Sequence, residues 1–219
     1  MRITSNIFQV GGSEESHPSD AAAYLIIAGT EGILVDAGTG KGTMRILKNI
    51  SSAGIDPSAV SHLFVTHCHF DHTGGINGIR EKTGCLVVAH ELDAAFLEMG
   101  DPEVTAASWY GSFMDPTRID IRVEEPRRVF SFGDTDITMY HTPGHSPGSA
   151  VLTMESDGEK VLFGQDVHGP LNEVLRSSRA DYVESLEFLL SLEADILCEG
   201  HFGVYRGKEK VQRFIESFL

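Results

Sequence analysis

Between positions 67 and 72 the chain reads His67-Cys68-His69-Phe70-Asp71-His72, three imidazoles and a carboxylate within six residues. Few folds can present so dense a cluster. It needs a rigid frame that ends in loops and brings in partners from elsewhere in the chain. The residues just before it, 62–66, are mostly apolar, with β-branched and aromatic members, and read as a buried strand. If the chain leaves that strand still extended, residues two apart face one side. His67 and His69 then chelate one ion while Cys68 points away. Asp71 and His72 lie at the start of the Thr73-Gly74-Gly75 turn, displaced enough to address a second ion.

Three separated residues complete the set, each in a loop marked by Gly or Pro. His145 sits in Thr142-Pro143-Gly144-His145-Ser146-Pro147-Gly148, a segment stiffened by two prolines. Asp166 follows an apolar strand and a glycine, and its two oxygens can bridge two ions as one imidazole cannot. His201 follows Glu199-Gly200. Imidazole with carboxylate is the usual ligand set for catalytic zinc, so these seven residues read as a site for two divalent ions. Iron and manganese are the alternatives. His141 and His168 are competing candidates of weaker placement: His141 ends a strand, where packing explains it, and His168 stands beyond the carboxylate, where it would tune the site from outside.

The remaining pattern alternates strand and helix after an opening run of strands. Strands are expected at 3–10, 22–28, 32–36, 62–66, 85–89, 129–132, 135–141, 149–154, 160–163 and 195–198, with helices at 41–53, 76–82, 91–100, 182–192 and 208–218. Met44, Ile46, Leu47 and Ile50 form the apolar face of the first helix. Leu92, Ala95, Phe96 and Met99 form that of the third, and Val211, Phe214, Ile215 and Phe218 that of the last. The length suits one domain spanning 1–219, with a helical and irregular insertion at about 91–126. Trp109, Tyr110, Phe113 and Met114 fall in its least regular part. They would form a satellite core, a homodimer contact or an apolar wall beside the metals.

Seventeen basic against 32 acidic residues leave a formal charge of −15, with no basic run to hold a nucleic acid or a membrane surface. The first residues carry no apolar signal core. Three cysteines at unpatterned spacing indicate no disulfide framework, and a reducing cytoplasm is the expected location. Cys68 reads as a small packed hydrophobe.

The motif His67-Cys68-His69-Phe70-Asp71-His72, followed by His145, Asp166 and His201, resembles the metallo-β-lactamase superfamily in its hydrolase branch. The resemblance runs from Asp36-Ala37-Gly38 to the final helix. Its flanks are similar to those of hydroxyacylglutathione hydrolases (glyoxalase II) and N-acyl homoserine lactonases. It implies an α/β fold, a four-layer αβ/βα sandwich with the metals at one edge of the sheets. It also implies that His67, His69 and His145 hold the first metal and Asp71, His72 and His201 the second, with Asp166 bridging. The chain extends 219 − 201 = 18 residues past His201, too few for the helical extension that holds glutathione in that family.

Two metals about 3.5–4 Å apart acidify a shared water to hydroxide near neutral pH. That hydroxide would attack a small ester, thioester or lactone, with Asp71 orienting it or accepting a proton. Two other readings use the same scaffold. One is an iron-dependent oxygenase resembling the persulfide dioxygenases, which needs the first metal alone; the other is a relative that binds a ligand without hydrolysing it.

Overall fold

The computed structural model describes residues 1–219 apart from the side chain of Gln165. Among the described residues two six-stranded sheets form. The first runs in chain order through β1 (Ile7–Gly11), β2 (Ala23–Ala28), β3 (Glu31–Val35), β4 (Val60–Phe64), β5 (Leu86–His90) and β6 (Ile121–Val123). The second runs in the reverse order, β12 (Val204–Arg206), β11 (Ile196–Glu199), β10 (Glu159–Gln165), β9 (Ala150–Ser156), β8 (Thr135–His141) and β7 (Arg127–Phe132).

Side-chain alternation along the strands sorts the core into layers. Tyr24, Ile26, Ile33, Val35 and Phe64 face the second sheet and meet Met139, Leu152, Val161, Phe163 and Ile196 there. Their neighbours Leu25, Leu34 and Leu63 point the other way, onto helices α1 (Thr43–Ser52) and α3 (Ile76–Thr83) and the segment that includes α4 (Glu91–Met99). On the outer face of the second sheet Val151, Leu162 and Leu197 pack against α5 (Arg179–Ser191) and α6 (Lys208–Glu216). The result is the αβ/βα sandwich, with strands apolar on both faces because both are covered.

Strands β3, β4 and β5 are mutually parallel, as are β10 and β11. Their carboxyl ends, followed by residues 36, 66–72, 90–93, 166 and 199–201, supply the side chains of the site. In open α/β sheets such ends are where ligands bind.

Several local expectations need correction. The strand before the histidine cluster spans Val60–Phe64, so Val65 and Thr66 already belong to the loop, held by Val88 O and the Asp36 carboxylate. Residues 3–6 form a turn ahead of β1, where Ile3 N bonds Ile7 O. In α1 Met44 is exposed and only Ile46, Leu47 and Ile50 face inward. In α4 the buried residues are Asp93, Ala94, Phe96 and Leu97, whereas Leu92 and Met99 face solvent. The helix is rolled because the loops before His69 and after His145 both donate to Asp93, as described below. In α6 Val211 and Ile215 are buried, and Phe214 and Phe218 pack at the margin of the layer between the second sheet and these helices. The three-residue strands β6 and β12 and the single turn α2 (Phe70–Thr73) are too short to carry a periodic signal.

Candidate metal centre

The chain leaves β4 extended, with His69 at φ −66° and ψ 146°, then turns into α2. The extended stretch puts His67 and His69 on one side, and Cys68 is directed into the core beneath, near Val104 O. Burial, reinforced by the Asp93 carboxylate, pushes the Cys68 thiol up, so it stays a protonated packing group. The single helical turn carries Asp71 and His72 round to a second position.

His145 arrives from the loop between β8 and β9. Both glycines there are steric necessities: a Cβ at Gly144, which has φ +134°, would overlap the backbone of Tyr182, and one at Gly148 would press on Asp93. Asp166 follows β10 and His201 follows β11.

The seven sequence-predicted residues come together. His67, His69, His145 and Asp166 bring one donor atom each within 4.8 Å of one another, and Asp71, His72 and His201 do the same alongside. Asp166 stands between the groups with one oxygen toward each. Its Oδ2 lies 3.3 Å from His145 Nε2 and 3.8 Å from His67 Nε2. Its Oδ1 lies 3.1 Å from His72 Nε2 and 3.5 Å from His201 Nε2. Asp71 Oδ2 is 3.2 Å from His201 Nε2 and 3.8 Å from His72 Nε2. Ligand atoms bound tetrahedrally at about 2.0–2.1 Å stand about 3.3 Å apart, so these spacings suit atoms that share an ion.

The hydrogen bonds around the cluster free the inward-facing nitrogens. His72 Nδ1 bonds Asp36 Oδ2 at 2.6 Å, His67 Nδ1 bonds Thr66 Oγ1 at 3.1 Å, and His145 Nδ1 bonds Pro170 O at 3.0 Å. Each bond places one ring proton on Nδ1, so Nε2 is the atom that offers a lone pair to a metal, at His72 once its second proton has been displaced. Among the described residues six buried side-chain polar atoms have no hydrogen-bond partner. Five converge here: Nε2 of His67, His69, His72 and His145, and Oδ1 of Asp166. The sixth is His90 Nε2, outside the cluster. Five buried orphans in one place would be costly unless a cation satisfies them, so these residues fit a metal site.

The electrostatics divide the cluster. Burial, then the neighbouring imidazoles, holds His67 well below the usual histidine range and His69 down at about 3. At His72 and His201 burial acts the same way, but the carboxylates outweigh it. His72 is raised well above the usual range by Asp166, Asp71 and Asp36, and His201 is pushed up to about 10 by Asp166 and Asp71. Burial alone would raise both carboxyls; His72 and His201, with His145 at Asp166, keep Asp166 well below its usual value and Asp71 lowered.

The competing histidines stand apart in role. His141 stacks flat on His90 with ring centroids 3.7 Å apart, and its Nε2 bonds Pro147 O. His168 lies beside Asp166 and His201 with Nδ1 held 2.7 Å from Glu199 Oε1.

Sequence reasoning missed the residues that hold the ligands. Asp36, at φ +61°, accepts from Thr66 N and Oγ1 as well as His72. Asp93 accepts from Cys68 N, Ser146 Oγ and Gly148 N at 2.6–2.8 Å, joining the loops that carry His69 and His145. Glu199, fully buried, accepts from the backbone N–H of His201 and Phe202 besides contacting His168. One signal was available: Asp36 and Glu199 end apolar strands just as Asp166 does. The segment 91–126 splits. Met114 is buried, Phe113 is 84% exposed, and Trp109 and Tyr110 line a cavity with His69, Asp71, Asp166 and His201.

A family model described as the metallo-beta-lactamase superfamily matches residues 18–201. The chain is 29% identical to the acyl-coenzyme A thioesterase MBLAC2 of Gallus gallus, over 99% of this chain and 84% of that protein. It is 29% identical to a hydroxyacylglutathione hydrolase of Anaeromyxobacter dehalogenans over 62% of this chain and 43% of that enzyme. Among solved structures the native FEZ-1 metallo-beta-lactamase of Legionella gormanii superposes with a TM-score of 0.82 at 21% identity, covering 99% of this chain and 91% of that one. That last likeness is one of fold. Among the described residues no helix is long and apolar enough to cross a membrane.

Proposed function

Since the chain belongs to the metallo-beta-lactamase superfamily, we propose that it is a dinuclear metal-dependent hydrolase of small acyl compounds, with thioesters the first class to test. In this reading His67, His69 and His145 hold one ion, Asp71, His72 and His201 the other, and Asp166 joins them. The observation that carries it is the two-sided approach to Asp166, one oxygen toward each histidine group. A pair of divalent ions, zinc by donor chemistry, would supply an acidified water and polarise a carbonyl.

The chain's own residues do the rest. Asp36, Thr66 and Pro170 O fix the ring protons on Nδ1, so that Nε2 of His72, His67 and His145 faces inward. Asp71, within reach of His201 and of the cavity, orients the attacking water and accepts a proton. Trp109, Ala106 and Leu175 wall the cavity and exclude bulk solvent from the acyl group.

A one-metal oxygenase would need the first histidine group alone; the equally assembled second group favours the hydrolase. Thioester in two of the relatives' chemistries, acyl-coenzyme A and acylglutathione, supports the substrate class. The test is a panel of thioesters, lactones, phosphodiesters and persulfides on one metal-defined preparation. Thioester or lactone turnover is expected. Oxygen-dependent persulfide consumption without hydrolysis would overturn the reading.

A further inference from the structure

Two cavities of different character meet at the metal-site residues. The smaller, about 150 Å³, lies over His69, Asp71 and Asp166 and is walled by Ala106, Trp109, Pro170 and Leu175. The larger, about 630 Å³, runs beside it between the loop that follows β1 and the 200–203 turn. Tyr110 and His201 line both. The Tyr110 ring is braced on Phe70, with ring centroids 5.6 Å apart, and its hydroxyl sits beside Asp71. Burial, then that carboxylate, pushes its phenol up, so it remains an O–H donor.

The walls differ in chemistry. Leaving aside the metal-site residues and His168, the small cavity offers only apolar and aromatic side chains. The large one offers Gln9, Ser13 and Ser19 with the carboxylates of Glu14, Glu15 and Asp20. Asp20 is occupied by Ser16 and Thr39, and Glu15 lies 3.5 Å from the terminal ammonium of Met1; Glu14 is exposed. No Lys or Arg side chain lines either cavity; the cation on the wall of the large one is the Met1 ammonium, which is taken up by Glu15 and by Gln9 O. A carrier rich in phosphate is ordinarily held by Arg or Lys. The positive charge of bound metals would act at the reacting carbonyl, while the remainder of the substrate meets the carboxylates of the cleft.

We propose that the scissile bond lies at the Tyr110–His201 junction, with a short acyl group in the small cavity and a larger neutral or cationic leaving group in the cleft. Tyr110 is then the residue that sets acyl length. The inference rests on the hydrolase reading and deepens it. A cavity of roughly 150 Å³ with apolar walls takes a benzene-sized group, about six carbons. The cleft falls within the roughly 300–1,000 Å³ of ordinary ligand sites, room for the larger portion.

The experiment uses the metal-loaded protein and thioesters varied in two directions. Acyl length runs from two to twelve carbons on N-acetylcysteamine. Leaving-group charge runs through thiocholine, N-acetylcysteamine and coenzyme A on a butyryl group. Expected are an optimum at four to six carbons with at least a tenfold fall in kcat/KM at twelve, and at least tenfold discrimination against the coenzyme A ester. Glu14→Gln with Glu15→Gln narrows that discrimination. Tyr110→Ala joins the cavities and moves the optimum to longer chains at unchanged metal content. A flat length profile, a preferred coenzyme A ester, or a Tyr110→Ala variant with the wild-type length profile overturns the inference while leaving the hydrolase standing. No turnover of any thioester overturns this inference, and the hydrolase reading falls with it when the lactones are also left intact.

Discussion

Removing the Asp36 carboxylate tests how the second histidine group is built. Asp36 receives three bonds in the buried interior: Thr66 N at 2.9 Å, Thr66 Oγ1 at 2.8 Å and His72 Nδ1 at 2.6 Å. In Asp36→Ala Thr66 Oγ1 still accepts from His67 Nδ1, but Thr66 N, the Thr66 hydroxyl proton and the His72 ring proton lose their acceptor. Three unsatisfied buried donors cost about 3–9 kcal/mol. Alanine at φ +61° adds about 1–2 kcal/mol, a strain that Asp and Asn tolerate. The sum, about 4–11 kcal/mol, is a large part of the roughly 5–15 kcal/mol that stabilises a domain, so this variant is expected to fold poorly.

Asp36→Asn is the sharper probe. It keeps the backbone conformation and an acceptor for Thr66 N, and turns an amide NH₂ toward His72. The ring answers by accepting at Nδ1, which moves its proton to Nε2, the atom that faces Asp166. Loss of one charge-assisted bond costs about 1.5–3 kcal/mol. The misplaced proton should weaken the second ion about 10–100-fold, while the first, held by His67, His69 and His145, is unaffected. Urea unfolding of the metal-free protein and competition titration with a chelating indicator measure the two effects. An Asp36→Asn variant that binds both ions with wild-type affinity would refute the reasoning.

Metal binding should also release protons unequally. His72 and His201 have raised values, about 10 for His201, so the metal-free site carries protons there at pH 7 that an incoming ion must displace. Affinity at that group is expected to rise with pH until His201 deprotonates near 10. Binding by His67 and His69, both held low, should be nearly independent of pH from 5 to 8; calorimetry in buffers of different ionisation enthalpy distinguishes this from equal release at both. Trp109→Ala should change relative kcat/KM across acyl groups at constant metal content. Phe113→Ala, at an 84% exposed position, should leave the profile unchanged; the reverse pattern would misplace the cavity wall. Asp166→Ala should abolish turnover and weaken both ions, whereas His168→Ala should leave metal content near normal; equal metal loss in the two would mean the bridge is wrongly assigned.

The sheets and the ligand loops were legible because both leave short-range marks. Strands buried on two faces read as apolar runs, and a loop that must approach another backbone demands glycine, as Gly144 and Gly148 do. What stayed hidden depends on contacts distant in sequence. Asp93 occupies an inward position of α4 because Cys68, Ser146 and Gly148 come to it from other loops, and no helical periodicity marks a carboxylate as core. The same limit explains Tyr110. Composition places it in an aromatic cluster, but only the fold separates it and Trp109, at the cavity, from buried Met114 and outward Phe113.

The central claim is two ions per chain joined by Asp166. Elemental analysis of the protein after metal loading and exhaustive dialysis, read beside turnover at each step of a metal titration, tests it directly. About two divalent ions per chain are expected, with activity that rises as the second binds. A single ion under metal-replete conditions, with full activity at that stoichiometry, would contradict it.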